Sequence, residues 1–275
     1  MDIKGKFAFV GLSAVVVMIA ALAGCLGGDD DEKELSMEGS TTVLPIAQAA
    51  AEKYMEDNPD ATINVKGGGS STGVEAAGTG SADIGMASRE LKDSEKSEYP
   101  DIMTKPIAKD GIAVIVHPDN NVSALTMDQL KQIYLGEITN WQDVGGADEA
   151  IVVVGRDSAS GTRGTFDDLV IDGENPTTDM QQKQSNGDVF NTIKTTPQAI
   201  GYVGLGYLND EVQGVSMDGV EPSVSTVVDG SYPISRNLNF VFDGEPDGFA
   251  KEFLDYVLGP EGQAIVEEEG FVPLS

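Results

Sequence analysis

One stretch constrains the fold more than any other: Ile112-Ala113-Val114-Ile115-Val116, a run of small and β-branched apolar residues. A strand of this kind has no face to offer water, so it reads as one covered on both sides. Ile151 to Val154 has the same character, and Thr62-Ile63-Asn64-Val65, Ala82 to Met86, Ala199 to Val203 and Leu238 to Phe242 are further strand candidates. Helical spacing appears between them. Ile46, Ala47, Ala50, Ala51, Tyr54 and Met55 recur on one face, with Pro45 suited to the first turn and Asn58-Pro59 as a stop. Thr126 and Gln129 form a capping box before Leu130, Ile133 and Tyr134, and Gly136 closes that helix. Further helices are predicted over Thr162–Val170, Asp188–Lys194 and Phe249–Leu258. The alternation predicts an α/β fold with mostly parallel strands in each sheet, flanked by helices.

Charge and composition narrow the function. The chain has 275 residues, with 17 basic against 46 acidic side chains, a formal charge of −29. Nucleic acid is excluded as a partner, because its phosphates need a basic face. Such acidity serves solubility and fits a salt-rich habitat, where screening shortens repulsion. One cysteine and one histidine build neither an internal disulfide nor a zinc site, so no metal and no cofactor is expected. Acidic pairs such as Asp167-Asp168 read as solvated faces.

The amino terminus reads as an address. Lys4 and Lys6 precede an apolar run from Phe7 to Ala23, shorter than the ~20 residues of a membrane-spanning helix, and Leu22-Ala23-Gly24-Cys25 follows. Leu-Ala-Gly-Cys looks like a lipobox, in which the cysteine is lipidated and becomes the mature terminus. Residues 1–24 are then a lipoprotein signal peptide, Cys25 the lipidation site, and 25–36 an acidic tether too poor in apolar surface to fold. The rest of the chain is placed on the outer face of the cell membrane.

Three segments share one design: Gly39-Ser40-Thr41-Thr42, Gly67-Gly68-Gly69-Ser70-Ser71-Thr72-Gly73, and Arg156-Asp157-Ser158-Ala159-Ser160-Gly161-Thr162, each opening a helix. A helix start offers unpaired N–H groups and the positive end of its dipole; glycine admits an anion to that backbone and hydroxyls add donors. Any one of them alone fits ordinary capping. Together they describe a small tetrahedral oxyanion held mainly by neutral donors. Gly68 and Gly73 have P-loop spacing, but Val74-Glu75 stands where lysine and a hydroxyl are needed. No Gly-x-Ser-x-Gly elbow exists, and His117 before Pro118 reads as a boundary residue rather than a base. No enzyme is expected.

These motifs, with Ala-Asp-Ile-Gly-Met-Ala-Ser (82–88), Ile-Thr-Asn-Trp (138–141), Ala-Ile-Gly-Tyr-Val (199–203) and Gly-Phe-Val-Pro-Leu (270–274), resemble the PstS family, the phosphate-binding lipoproteins of ABC importers. The resemblance implies a two-lobed clamp of the periplasmic-binding-protein type II kind, crossed by two strands near Ala108–Val116 and Pro233–Phe242. One lobe would be built from 37–112 and 238–275, the other from 113–237.

It also implies a ligand set. Ser40, Thr41 and Thr42 would serve the first turn, Ser70 and Ser71 the second, and Ser160, Gly161 and Thr162 the third. Arg156 would supply a planar cationic fork suited to phosphate oxygens. Two positions depart from the family pattern: Arg89 and Ser158 stand where familiar members have aspartates, one of them the acceptor for the proton of hydrogen phosphate. Arg89 cannot accept a hydrogen bond; Glu90, Asp157 or a serine oxygen is left for that role. The reading is a monomeric lipid-anchored receptor that passes inorganic phosphate to ABC-transporter permease subunits. The same fold could hold tungstate, molybdate or sulfate instead, or sense phosphate without transport.

Overall fold

The computed structural model describes residues 33–274; the predicted signal peptide, Cys25 and most of the predicted tether lie outside the described residues. The elements in chain order are β1 (Lys33–Gly39), α1 (Leu44–Asp57), β2 (Ala61–Gly67), α2 (Ser70–Thr79), β3 (Ile84–Ala87), α3 (Asp93–Glu98) and β4 (Ile102–Val116). Next come β5 (Ala124–Leu125), α4 (Met127–Leu135), a 3-10 turn (Trp141–Val144), β6 (Val152–Arg156), α5 (Gly161–Val170), β7 (Gln181–Lys183) and α6 (Asn186–Thr195). The chain continues through β8 (Ala199–Gly204), a second 3-10 turn (Leu205–Tyr207), β9 (Gln213–Gly214), β10 (Ser216–Met217), α7 (Val224–Val228), β11 (Ser235–Asp243), α8 (Gly248–Leu258) and α9 (Pro260–Glu268).

The strands lie in the order β2-β1-β3-β11-β4-β8-β6-β7, with β9 added beside β4 and a separate β10-β5 pair. Parallel pairing holds within each flank, β2-β1-β3 on one side and β8-β6-β7 on the other. The middle is antiparallel: β11 runs against β3 and β4, and β4 against β8. This is the mixed α/β architecture expected from the alternation, with β4 and β11 as the crossing strands. β4 pairs with β11 over Ile102–Gly111 and with β8 over Ile112–Val116, so one 15-residue strand belongs to both flanks.

Two apolar cores correspond to the two flanks. Leu35, Ile46, Ile63, Ile107, Leu238, Phe240 and Phe253 belong to one; Ile112 to Val116, Phe166, Ile193, Tyr202 and Ile234 belong to the other. The change of core falls between Ala108 and Ile112 in β4, and between Ile234 and Leu238 at β11. The two-lobed clamp rests on this division.

Local chemistry explains the helix boundaries. Thr126 and Gln129 make the reciprocal capping bonds, at 3.1 and 2.9 Å, and Gly136 ends α4 at φ 79°. Ser160 caps α5 by accepting from Arg163 N–H at 3.2 Å. His117 Nδ1 accepts from Asp119 N–H at 3.0 Å just past the end of β4, a boundary role as read from the sequence.

One boundary needs correction. The tether over 25–36 does not reach residue 36, because β1 begins at Lys33 and pairs residue for residue with β2. Leu35, Met37 and Gly39 alternate inward, with Leu35 only 1 % exposed. The acidic composition hid a strand whose apolar face is carried by alternate residues. Leu35→Ala should therefore destabilise the protein by about 2–4 kcal/mol in urea unfolding; a change below about 0.5 kcal/mol would return Leu35 to the tether.

Candidate functional site

The three hydroxyl-rich turns meet. Ser40, after β1, folds its own turn: its Oγ accepts from the N–H groups of Thr42 at 3.2 Å and Val43 at 3.4 Å. Thr41 and Thr42 are thereby carried to the start of α1 with their hydroxyls facing the opposite flank. Thr42 Oγ1 lies 3.0 Å from Thr162 Oγ1 of α5, and Thr41 Oγ1 accepts from Arg156 Nη2 at 3.3 Å. The second turn reaches the third through backbone, Ser71 N–H donating to the Ala159 carbonyl at 3.0 Å. Ser70 Oγ accepts from Ser88 N–H at 3.0 Å and lies 3.3 Å from Ser88 Oγ.

Glycine permits the approach at two points. Gly69, at φ +98°, has so little room that a Cβ would stand 2.8 Å from the Ala159 carbonyl oxygen. At Gly161 a Cβ would come within 2.2 Å of Ser70 Oγ and 2.8 Å of Ser88 Oγ.

Arg156 ends β6 and is 1 % exposed. Its Nε donates to the Lys183 carbonyl at 3.2 Å and Nη2 to the Gln184 carbonyl at 2.8 Å, while Nη1 is buried without a partner among the described residues. Burial lowers its pKa from the usual arginine value, and the nearby Tyr202 and Asp157 oppose that. A buried cation with an unpaired edge beside three helix starts and several hydroxyls suits a compact anion rich in oxygen.

Residues that sequence reasoning passed over complete the cluster. Asn186, first in α6, donates from Nδ2 to Thr41 Oγ1 at 3.1 Å and to Thr42 Oγ1 at 2.9 Å. Arg236 of β11 donates from Nη2 to Thr42 Oγ1 at 3.2 Å and from Nη1 to the Ser88 carbonyl at 3.0 Å. Asp110 of β4, fully buried, accepts from Arg236 Nε at 3.0 Å and Nη2 at 2.7 Å, and from Leu205 N–H at 2.8 Å. Burial pushes the Asp110 carboxyl up and the Arg236 fork holds it back. A lone carboxylate at the head of an apolar strand was the signal available for Asp110. Asn186 and Arg236 sit in unremarkable polar stretches and gave none.

Three predicted positions fall elsewhere. Arg89 is buried, but its fork is bound to Glu95 at 2.6 and 2.8 Å, to the Glu90 carbonyl at 2.8 Å and to Ser71 Oγ at 3.1 Å. Neither Arg89 nor Ser71 joins the hydrogen bonds around Thr41 and Thr42. Ser158 is exposed in the loop before α5 and stands outside those bonds too, and Glu90 is exposed. A cavity of about 940 Å³ opens alongside, with Arg89, Ser158, Ser160 and Arg236 in its wall. It far exceeds a tetrahedral oxyanion, and Thr41, Thr42, Ser70 and Arg156 lie outside its wall.

Comparison with known proteins fits this geometry. The PBP superfamily domain model matches residues 27–261. The phosphate-binding protein PstS of Bacillus subtilis is 37% identical over 99% of this chain and 95% of its own length. The chain belongs to the PstS family. PstS of Borreliella burgdorferi is 31% identical over 95% of this chain and 99% of its own. Among solved structures, a Clostridium perfringens protein with bound phosphate, described as a phosphate ABC transporter substrate-binding protein, superposes with a TM-score of 0.84. It is 38% identical, covering 88% of this chain and 100% of that one. An ABC-type phosphate transport receptor from Vibrio cholerae gives 0.72 at 31% identity, over 86% and 99% of the two chains.

Two outcomes follow for this PstS-family site. Gly161→Ala should raise the dissociation constant for inorganic phosphate at least about tenfold by calorimetry, because the third turn can no longer seat against Ser70 and Ser88. Glu95 is subject to burial, which would raise its pKa, but the Arg89 hydrogen bond and the Lys92 amide outweigh it and hold the carboxyl below the usual 4.5. An acid with a depressed native pKa adds stability above its unfolded value, and that stability is lost as pH falls through the depressed one. Glu95→Gln should lower the unfolding free energy near neutral pH by about 1–3 kcal/mol and flatten the loss of stability below pH 4.5 in denaturant titrations.

Proposed function

We propose that this protein is the extracytoplasmic receptor of a phosphate importer: it captures inorganic phosphate between two α/β lobes and presents the closed form to ABC-transporter permease subunits. The observation that carries this reading is the buried Arg156 edge without a partner among the described residues, set where the three turns converge. One lobe takes in 37–112 and the stretch from 238 onward, extended back to Lys33 by β1, and the other 113–237. Thr41, Thr42 and Thr162 supply hydroxyls, Ser70, Ser160 and Gly161 belong to the turns that close on the ligand, and Arg156 supplies the charge. Ser40 shapes its turn; Ser71 and Arg89 brace the second turn from outside.

Capture breaks no bond. Ligand contacts drawn from both lobes favour the shut state, and the shut state is what a transporter reads. The formal charge of −29 does not prevent this, since donors at about 3 Å outweigh surface charges screened beyond roughly 8 Å at physiological salt. Relatives named as phosphate-binding proteins support the choice of ligand, and a Leu-Ala-Gly-Cys motif ending at Cys25 supports lipid anchoring. The protein acts as a receptor rather than an enzyme, working as a monomer.

Arg156→Ala should weaken phosphate binding by about 2–5 kcal/mol in calorimetric titration, because it removes the paired fork from a desolvated site. An unchanged dissociation constant places the site elsewhere. In wild-type protein, native mass spectrometry should find a co-purifying species of phosphate's mass, and tighter binding of sulfate than of phosphate in competition would overturn the phosphate assignment.

A further inference from the structure

Asn186 spends both hydrogens of its side-chain amide on two different hydroxyls, Thr41 Oγ1 at 3.1 Å and Thr42 Oγ1 at 2.9 Å. Its orientation is fixed from behind: Gly204 N–H donates to Asn186 Oδ1 at 3.2 Å, so the oxygen faces β8 and the NH₂ faces the threonines. Each hydroxyl receives further N–H donors. Thr41 Oγ1 accepts from Arg156 Nη2 at 3.3 Å and from the Asn186 backbone N–H at 3.4 Å; Thr42 Oγ1 accepts from Arg236 Nη2 at 3.2 Å.

A hydroxyl has two lone pairs and one hydrogen. With both lone pairs engaged by N–H donors, the hydrogen can only be given away. Thr42 gives its hydrogen to Thr162 Oγ1 at 3.0 Å, whereas none of the bonds at Thr41 Oγ1 uses its hydrogen. The charged groups facing this pair are Arg156 from β6, Arg236 from β11 and Asp110 from β4. Asp110 takes no hydrogen from either threonine, its oxygens being engaged by Arg236 and Leu205 N–H. The Tyr207 hydroxyl, which burial pushes up to about 12, donates to the Thr41 carbonyl at 2.7 Å.

We propose that Asn186 sets the polarity of the anion site: with Arg156 and Arg236 it holds both hydroxyls as donors, Thr42 toward Thr162 and Thr41 toward the anion, so that Thr41 offers a hydrogen to a bare anion oxygen and no lone pair to an oxygen that carries a proton. The inference rests on the phosphate reading above and deepens it. The preferred ligand is doubly charged hydrogen phosphate, a bare oxygen toward Thr41, over singly charged dihydrogen phosphate. Asn186 is a positioning residue: it acts through the two hydroxyls.

The test is calorimetric titration with inorganic phosphate at about pH 5 and about pH 8, either side of phosphate's second ionisation, for wild type, Asn186→Leu and Asn186→Asp. Wild type should bind tighter at the higher pH. In Asn186→Leu, Thr42 keeps a single N–H donor and Thr41 loses its shortest one, so a hydroxyl lone pair becomes able to accept a phosphate proton, and the ratio of the two affinities should narrow at least about tenfold. A purely structural role would lower both affinities alike and leave the ratio unchanged, and that result would overturn the proposal. Asn186→Asp keeps the shape and the acceptor for Gly204 N–H but reverses the polarity; phosphate binding at about pH 8 should fall at least about a hundredfold. This variant decides the matter if Asn186→Leu does not fold, and wild-type binding by it counts against the proposal. Wild type that binds phosphate at neither pH overturns the receptor reading together with the inference, whereas binding with an unchanged ratio overturns the role of Asn186 alone.

Discussion

A guanidinium removed from water must find acceptors for its five N–H groups, and much of the site follows from how Arg156 does so. Nε and Nη2 find the Lys183 and Gln184 carbonyls and the Thr41 hydroxyl. The first two contacts come from the last residue of β7 and the residue after it, in the same flank as Arg156; the third crosses to the other flank. The fork is therefore oriented by backbone, and its remaining edge meets no acceptor among the described residues. A charge held this rigidly loses little freedom when an anion arrives, so more of the contact energy appears as affinity.

The scaffold around that edge is made from small residues and main chain. Gly69 and Gly161 let the second and third turns touch almost backbone to backbone, and Gly73 packs so tightly on β3 that a Cβ would stand 2.4 Å from the Met86 carbonyl. Hydroxyls supply the remaining contacts. Arg89 stays outside this cluster: it is bound by Glu95 and braces the second turn through Ser71. Its place outside the hydrogen bonds around Thr41 and Thr42 has a physical cause, since the Glu95 carboxylate takes both ends of its fork.

The fold was legible where one residue type has one use. Five apolar residues in a row from Ile112 mark the doubly covered strand, Thr126 and Gln129 mark a helix start, and glycine-hydroxyl runs mark the three turns. Legibility ended where no spacing rule marks the partner. Glu95, which decides the fate of Arg89, lies on α3, and nothing in the order of residues marks it as the mate. Asn186 lies inside a polar stretch, Gln181 to Asp188, whose helix start conceals its role. Leu35 was hidden by its acidic neighbours, although its alternation with Met37 and Gly39 was there to be read.

The geometry of Asp110 and Arg236 has a mechanical consequence. They are directly opposed partners in the β4–β11 ladder, with a register irregularity two residues beyond Arg236, between Leu238 and Asn239. Any swing of the lobes that leaves this ladder intact carries the ion pair along unbroken, while Arg236 can let go of Thr42. A motion of that kind would keep the charges on these two strands neutralised. Arg156 has no such carboxylate partner among the described residues, so a parting of the flanks that costs it Thr41 would favour its hydration, and an anion on its unpaired edge would oppose that.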